Sequence, residues 1–309
     1  MMAQVLAAQE LDFARHVVAL RRAFHESPWA SEIGVTLTEK FYRWKYDTPA
    51  GEAKIACVMS GTGPVSSVSA FPMTFDVPGR PPTRGWQIGD IMTSPEVRGQ
   101  GLYGTCLSKL IEVMDDQLLI CFPNDRSRRG IERVGFTAVA DIETFIRPLL
   151  IPLGGRDLPR SDEASASDIS WPDSRPSEYL SVHKDQEYLA WRYARHPAFH
   201  YQFIAGSEGW AVTRCFRLFG TKVAIVVEFN PTGEGCAPLL KKVHRWARAN
   251  GMMASFLMAN WYPMKPMRFG YLFVPSLLMP KRQILYVRYP QGRTGNLPWR
   301  TQIGDWDGL

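Results

Sequence analysis

At 309 residues, with 45% hydrophobic and 21% charged residues, the chain is long enough for about two packed domains and too apolar to be disordered. Its net charge of +6 is dispersed apart from Arg126-Arg128-Arg129 and Lys241-Lys242. Such an excess favours anionic small molecules as readily as nucleic acid, and no basic–aromatic cluster argues for the latter. Cys57, Cys106, Cys121, Cys215 and Cys236 are odd in number and widely spaced, with no C-x-x-C, and the six histidines lack metal-ligand spacing. No metal is therefore assigned, and a reducing, cytoplasmic setting is expected. Glu10, Asp12, Arg15 and His16 interrupt any signal-peptide core, and no apolar run is long enough to span a membrane.

In chain order, residues 3–24 read as an amphipathic helix ended by Ser27-Pro28, and Thr38 to Tyr46 as a short helix with a threonine N-cap. Lys54 to Ser60 and Val65 to Phe75 read as antiparallel strands joined by a glycine turn. Ile88 to Met92 is a further strand. It breaks at Ser94-Pro95, passes through Arg98-Gly99-Gln100-Gly101 and enters a helical pattern, Leu102 to Met114. Strand, glycine turn and helix N-terminus together present unpaired N–H groups to an anion, and the glycines allow close approach. Gln117 to Phe122 is a buried strand ending at Pro123-Asn124. A short basic helix, Arg126 to Val134, follows, then Gly135-Phe136 and a strand over Thr137 to Arg147.

Gly99, Gly101 and Gly104 satisfy G-x-G-x-x-G, so a dinucleotide loop is one reading. Against it, no acidic residue ends a following strand where a ribose would want one. A P-loop lysine is also missing, because Leu102-Tyr103 follow the second glycine.

The run Thr93-Ser94-Pro95-Glu96-Val97-Arg98-Gly99-Gln100-Gly101, with Asn124, Ser127, Arg133, Gly135 and Phe136 after it in order, resembles the acyl-CoA loop and following helix of the GNAT N-acyltransferase superfamily. The resemblance implies acetyl-CoA or another acyl-CoA as co-substrate and a small-molecule amine as acceptor. It places the phosphates on Arg98, Gly99, Gln100, Gly101, Leu102, Tyr103 and Gly104. The pantetheine arm would lie along Ile91, Met92 and Thr93, with Asn124 and Ser127 on its other side. Two positions depart from the family pattern. Tyr103 stands where a small residue is usual, and Ile131 where many relatives carry the tyrosine that protonates the leaving thiolate. Asp90 is the nearest ionisable side chain on the strand leading to the loop and is the candidate base; His25, Glu26 and Asp47 are weaker ones.

The second half repeats the first. Trp191-Arg192-Tyr193 echoes Trp44-Lys45-Tyr46, and each is followed by a proline and two hairpin strands, here Phe199 to Ala205 and Gly209 to Leu218. Then come a strand, Val223 to Phe229, a glycine turn, a helix, Ala237 to Ala249, and strands Met253 to Met258 and Ile284 to Val287. A tandem duplication of one α/β unit is inferred. Its loop, Pro231-Thr232-Gly233-Glu234-Gly235-Cys236, lacks the arginine, and Glu234 would repel a pyrophosphate, so no cofactor is expected there.

The expected fold class is α/β (α+β), two GNAT-like units in tandem, each a mixed, mostly antiparallel sheet flanked by helices. The expected divisions are 1–150 for the acyl-CoA domain, 151–178 for a connector and 179–309 for the degenerate unit and tail. The expected activity is N-acyl transfer to a small amine, with a nucleotide-linked amino sugar suggested by Trp191, Trp210, Trp261 and Tyr262. A CoA-binding scaffold without activity is the alternative.

Overall fold

The structure is a computed structural model and describes residues 2–24, 37–61, 63–114, 116–149, 178–260, 265–278, 282–290 and 297–305. His25, Glu26, Trp261, Tyr262 and nearly all of the expected connector lie outside those residues. Two compact units emerge. One comprises Met1–Val139, His196–Ala198 and Ile284–Leu297; the other comprises Ala140–Arg195, Phe199–Gln283 and Pro298–Leu309.

The first unit is built on a sheet whose strands run, edge to edge, Gln4–Ala7, Lys54–Ser60, Gly63–Asp76, Thr83–Thr93, Leu118–Cys121, Ile284–Arg288 and Thr137–Asp141. The successive pairs from Gln4–Ala7 to Thr83–Thr93, and the pair of Leu118–Cys121 with Ile284–Arg288, are antiparallel, while Thr83–Thr93 and Leu118–Cys121 run parallel from Gly85↔Leu118 to Ile88↔Cys121. All four residues of Leu118–Cys121 are buried, as befits a strand covered on both faces. One face packs the Leu102–Val113 helix through Cys106, Leu107 and Leu110, and the Asp125–Arg133 helix through Ile131. The opposite face packs the Phe13–Phe24 and Glu39–Tyr46 helices on Ile55, Phe71 and Met92.

The N-terminal helix is shorter than its periodicity predicts. Gln4–Ala7 is a strand paired with Lys54–Cys57, and the helix starts at Phe13. Asp12 explains the boundary: its carboxylate accepts the Arg15 N–H at 3.1 Å and so satisfies a free helix donor. The strand expected over Thr137 to Arg147 divides as well. Thr137–Asp141 stays in the first sheet, while Glu143–Pro148 pairs antiparallel with Ala254–Ala259 in the second.

That second sheet runs Tyr201–Gly206, Gly209–Leu218, Thr221–Pro231, Ala254–Ala259, Glu143–Pro148 and Leu272–Val274. Its parallel pair again spans four positions, Val223↔Ala254 to Val226↔Leu257. The Cys236–Ala249 helix covers one face through Leu239, Leu240 and Val243.

Candidate active site

The central strand of the first sheet is bent where the site begins. Its register with Gly63–Asp76 slips between Ser69↔Gly89 and Ser67↔Met92, so one extra residue must be absorbed. Asp90 absorbs it, with a φ of 45°, a conformation that Asp tolerates better than most residues. On the other side, the parallel pairing ends at Ile88↔Cys121, and Phe122-Pro123 lead the neighbouring strand onward to its helix. Ile91, Met92 and Thr93 thus run past the end of that ladder.

Beyond Thr93 the chain makes a short 3-10 turn, Pro95–Val97, anchored by Ser94 N–H donating to the Val65 carbonyl at 2.8 Å. Gly99 and Gly101 take φ values of 83° and 76°, the left-handed region open to glycine. Gly101 is the N-cap of the Leu102–Val113 helix and offers no side chain to it; the first helical bond is Thr105 N–H to the Gly101 carbonyl. The N–H groups of Leu102, Tyr103 and Gly104 therefore have no acceptor within the helix. A Cβ at Gly99, Gly101 or Gly104 would meet nothing within 4 Å. Packing does not require these glycines, and at Gly104 neither does φ. What they leave is an open cradle of N–H donors at the positive end of a helix, suited to a phosphate.

Arg98 is exposed and braces this corner: its Nε donates to the Thr93 carbonyl at 3.4 Å and its Nη2 to the Ala23 carbonyl at 3.2 Å. Gln100 is exposed in the turn between the two left-handed glycines. Tyr103 has a structural reason for departing from a small residue. Its ring lies over Gly130, where a Cβ would collide with it, and its hydroxyl donates to the Ser127 carbonyl at 3.1 Å. Tyr103 and Gly130 are thus a matched pair across the two helices, and burial raises the Tyr103 pKa.

Asn124 is the N-cap of the Asp125–Arg133 helix. Its Oδ1 accepts the Arg126 and Ser127 N–H groups, both at 3.0 Å, and Ser127 Oγ returns the favour by accepting the Asn124 N–H at 3.1 Å. The amide nitrogen of Asn124, an exposed residue, is not used in the cap. Ile131 is fully buried among Leu107, Leu110 and Phe136 and can supply no proton.

Beneath the bulge lies a polar cluster that sequence reasoning missed. Lys45 Nζ donates to Asp90 Oδ1 at 2.7 Å, with both side chains at most 10% exposed. Phe71 lies under the ammonium at 4.9 Å. Beside it, Tyr46 hydroxyl bonds Ser69 Oγ at 2.9 Å and His16 Nε2 at 3.0 Å. Burial raises the Tyr46 pKa, reinforced by the Asp90 charge, and burial lowers that of His16 to about 4. The available signal was Lys45 itself, a lysine inside the aromatic run Phe41-Tyr42-Arg43-Trp44-Lys45-Tyr46. Asp47, by contrast, is exposed in a two-residue hairpin strand and joins no cluster.

The second unit places a different buried ionic cluster at the corresponding strand position and fills the cradle. Counting from the parallel pairs Gly85↔Leu118 and Val223↔Ala254, Glu228 occupies the place of Asp90. Tyr193, the echo of Tyr46, donates to Glu228 Oε1 at 2.5 Å, and Lys184 bridges Glu228 at 2.6 Å and Asp305 at 2.7 Å. Burial depresses the Lys184 pKa, but Asp305 and Glu228 outweigh it and the pKa ends above its usual value. Past the ladder, the Phe229 N–H is taken at 2.6 Å by Gln302 of the C-terminal segment, which also bridges Ala259. At the loop, a Cβ on Gly235 would run into the Glu208 carbonyl, and Thr232 N–H donates to that same carbonyl at 2.9 Å. Steric closure therefore adds to the missing arginine as a reason against a phosphate there. Trp191 and Trp210 are buried and offer no face for stacking.

No family model and no curated protein matches the chain. Solved structures do. A conserved protein of unknown function from Enterococcus faecalis, described as a probable N-acyltransferase, is similar with a TM-score of 0.63 at 12% identity, covering 94% of this chain and 73% of that one. The Eis1 protein of Mycobacterium abscessus gives a TM-score of 0.56 at 11% identity, over 94% and 74%. A GCN5-related N-acetyltransferase from Kribbella flavida gives 0.54 at 14% identity, over 93% and 71%. The chain has the fold of the GCN5-related N-acetyltransferases, in two units. No described helix is long and apolar enough to cross a membrane, and the described residues hold no cluster of His, Cys, Asp or Glu able to bind a metal ion.

Proposed function

We propose that the chain is an acyl-CoA-dependent N-acyltransferase whose first unit transfers an acyl group, acetyl in the simplest case, directly from CoA to a small amine in a ternary complex. The observation that carries this reading is the open glycine cradle at an uncapped helix N-terminus, beside a strand whose parallel pairing stops at Ile88↔Cys121. In this reading the cradle from Arg98 to Gly104 holds the CoA phosphates, and the pantetheine runs along Ile91, Met92 and Thr93 with Asn124 and Ser127 opposite. Backbone N–H groups near Met92 and Thr93 polarise the thioester oxygen. Asp90, the carboxylate at the bulge, takes the proton that the amine must lose to attack, with Lys45 as its partner. CoA thiolate is a fair leaving group, so the loss of a tyrosine acid at Ile131 costs less than the loss of a base would.

An amino sugar carried by a nucleotide is the acceptor to try first, although the burial of Trp191 and Trp210 removes two of the aromatic residues that suggested it. The first unit is expected to function in the cytoplasm. Calorimetry with acetyl-CoA tests the binding half of the proposal. The wild type should bind, and Arg98→Glu combined with Gly101→Asp should abolish the heat; equal binding by both proteins would sink it. Ile131 favours a second reading, a CoA-binding scaffold without turnover. Release of free thiol in a screen of amine acceptors separates the two.

A further inference from the structure

The chain pairs its buried and half-buried cations with care. Lys45 has Asp90, and Lys184 has Glu228 and Asp305. Arg147 donates to the Phe269 carbonyl, and Arg300 to Asn230 Oδ1. Arg214 breaks the pattern. It is 6% exposed, and its Nη1 has no hydrogen-bond partner among the described residues. No ion pair reaches its guanidinium from those residues either. Its neighbours are rings: Phe199 lies 3.6 Å from the guanidinium carbon and Phe216 5.7 Å. The strand register sets Tyr201 directly opposite it on one side and Ile225 on the other. This is the face of the second sheet away from the Cys236–Ala249 helix, because Ala211, Ala224 and Val226, which alternate with this row, pack on that helix.

Magnitudes show why this arrangement is incomplete as it stands. A cation–π contact returns to a desolvated ion only part of what water gave it. Removing an ion from water costs several kcal/mol even after relaxation. The rings alone do not offset the burial, whereas an oxyanion meeting the planar fork of the guanidinium would, through short charge-assisted hydrogen bonds. We propose that Arg214, framed by Phe199, Tyr201 and Phe216, is an anion-binding site of the second unit that takes a small ligand bearing a carboxylate or phosphoryl group. The aromatic frame suits a ligand with an apolar or planar body behind its anionic end. This site is separate from the glycine cradle of the first unit and does not depend on the activity proposed there.

Thermal unfolding of the full chain tests it, in a Gly101→Asp background so that the first unit's cradle cannot answer. Inorganic phosphate and acetate are titrated separately into a buffer whose other anion is chloride, which tells a phosphoryl site from a carboxylate site. The expected result is a saturable rise in Tm with at least one of the two. Arg214→Met should lose that rise, with apparent affinity down about tenfold or more, the equivalent of one lost charged hydrogen bond. Arg214→Lys should keep part of it. Without added anion, Arg214→Met should be no less stable than its parent, since it removes an uncompensated buried charge. Three results would overturn the proposal: no response to either anion, an undiminished response in Arg214→Met, or a large loss of stability in Arg214→Met without anion, which would mean the chain itself pairs the arginine.

Discussion

Gly104 separates a packing role from a binding role more cleanly than any other residue of the cradle. It sits in the first turn of a helix at an ordinary φ, and nothing lies within 4 Å of where its Cβ would be. Gly104→Ala is therefore expected to stabilise the fold by about 0.5–1 kcal/mol, since alanine loses less backbone entropy in a helix. It should at the same time weaken acetyl-CoA binding, because the methyl group enters the cradle. A denaturant titration and a calorimetric titration of the same variant check the two signs; a gain in both would remove Gly104 from the site. His16 carries the second prediction at this scale. Its folded pKa of about 4 lies below the ordinary histidine value of 6.5 because burial disfavours the charged ring. The unfolded chain thus binds the proton more readily, so the contribution is fully present above pH 6.5 and is lost as pH falls towards 4. The loss approaches about 3 kcal/mol at the lower end. His16→Gln should flatten part of that slope in unfolding measured from pH 7 to 4.5. Buried His244 of the second unit, lowered to about 3 chiefly by burial, adds a slope of the same sign.

At the scale of elements, Asn124 does two things that two substitutions can separate. Its Oδ1 caps the Asp125–Arg133 helix, an interaction its amide nitrogen takes no part in, and under the proposed function that nitrogen meets the pantetheine. Asn124→Asp keeps a cap of nearly equal quality, whereas Asn124→Ala should cost about 1 kcal/mol of stability. If the amide touches the pantetheine, both variants weaken acetyl-CoA binding but only the alanine lowers Tm; unchanged binding in Asn124→Asp would leave Asn124 with its cap alone. Elements with strong local signals were legible in the sequence for the same physical reason that these caps work. Thr38 accepts the Phe41 N–H as an N-cap should, and the apolar spacing from Leu102 to Ile111 matches the buried face of that helix. Misread elements are those decided by a distant partner. Gln4–Ala7 has residues that fit either a helix or a strand, and pairing with Lys54–Cys57 selects the strand. The bulge at Asp90 cannot be seen locally either, because it exists only as a slip against Gly63–Asp76.

For the molecule as a whole, the important fact is which residues complete the first sheet. Leu118–Cys121 has the cradle's strand on one side and Ile284–Arg288 on the other, joined through Tyr286↔Cys121 to Arg288↔Leu119. Tyr286 also belongs to the core under the Leu102–Val113 helix, and its hydroxyl reaches Glu132 at 3.1 Å. A fragment of residues 1–150 would contain every residue proposed to touch acyl-CoA and yet expose that strand as an unpaired apolar edge. It is expected to aggregate or to bind no acetyl-CoA, and supplying 284–297 should restore solubility; a stable, binding-competent 1–150 fragment would contradict this. By itself, the sequence determined the α/β class, the tandem repeat and the glycine loop, because periodicity, glycines and proline breaks are local properties carried by neighbouring residues. Only the tertiary structure decided that Lys45 stands on Asp90, that Gln302 and the Glu208 turn close the second unit's counterpart, and that a strand near residue 286 is inserted between Leu118–Cys121 and Thr137–Asp141 in a sheet begun near residue 4. Those are contacts between residues tens to hundreds of positions apart. Burial and pairing select them, and no spacing rule in the chain records them.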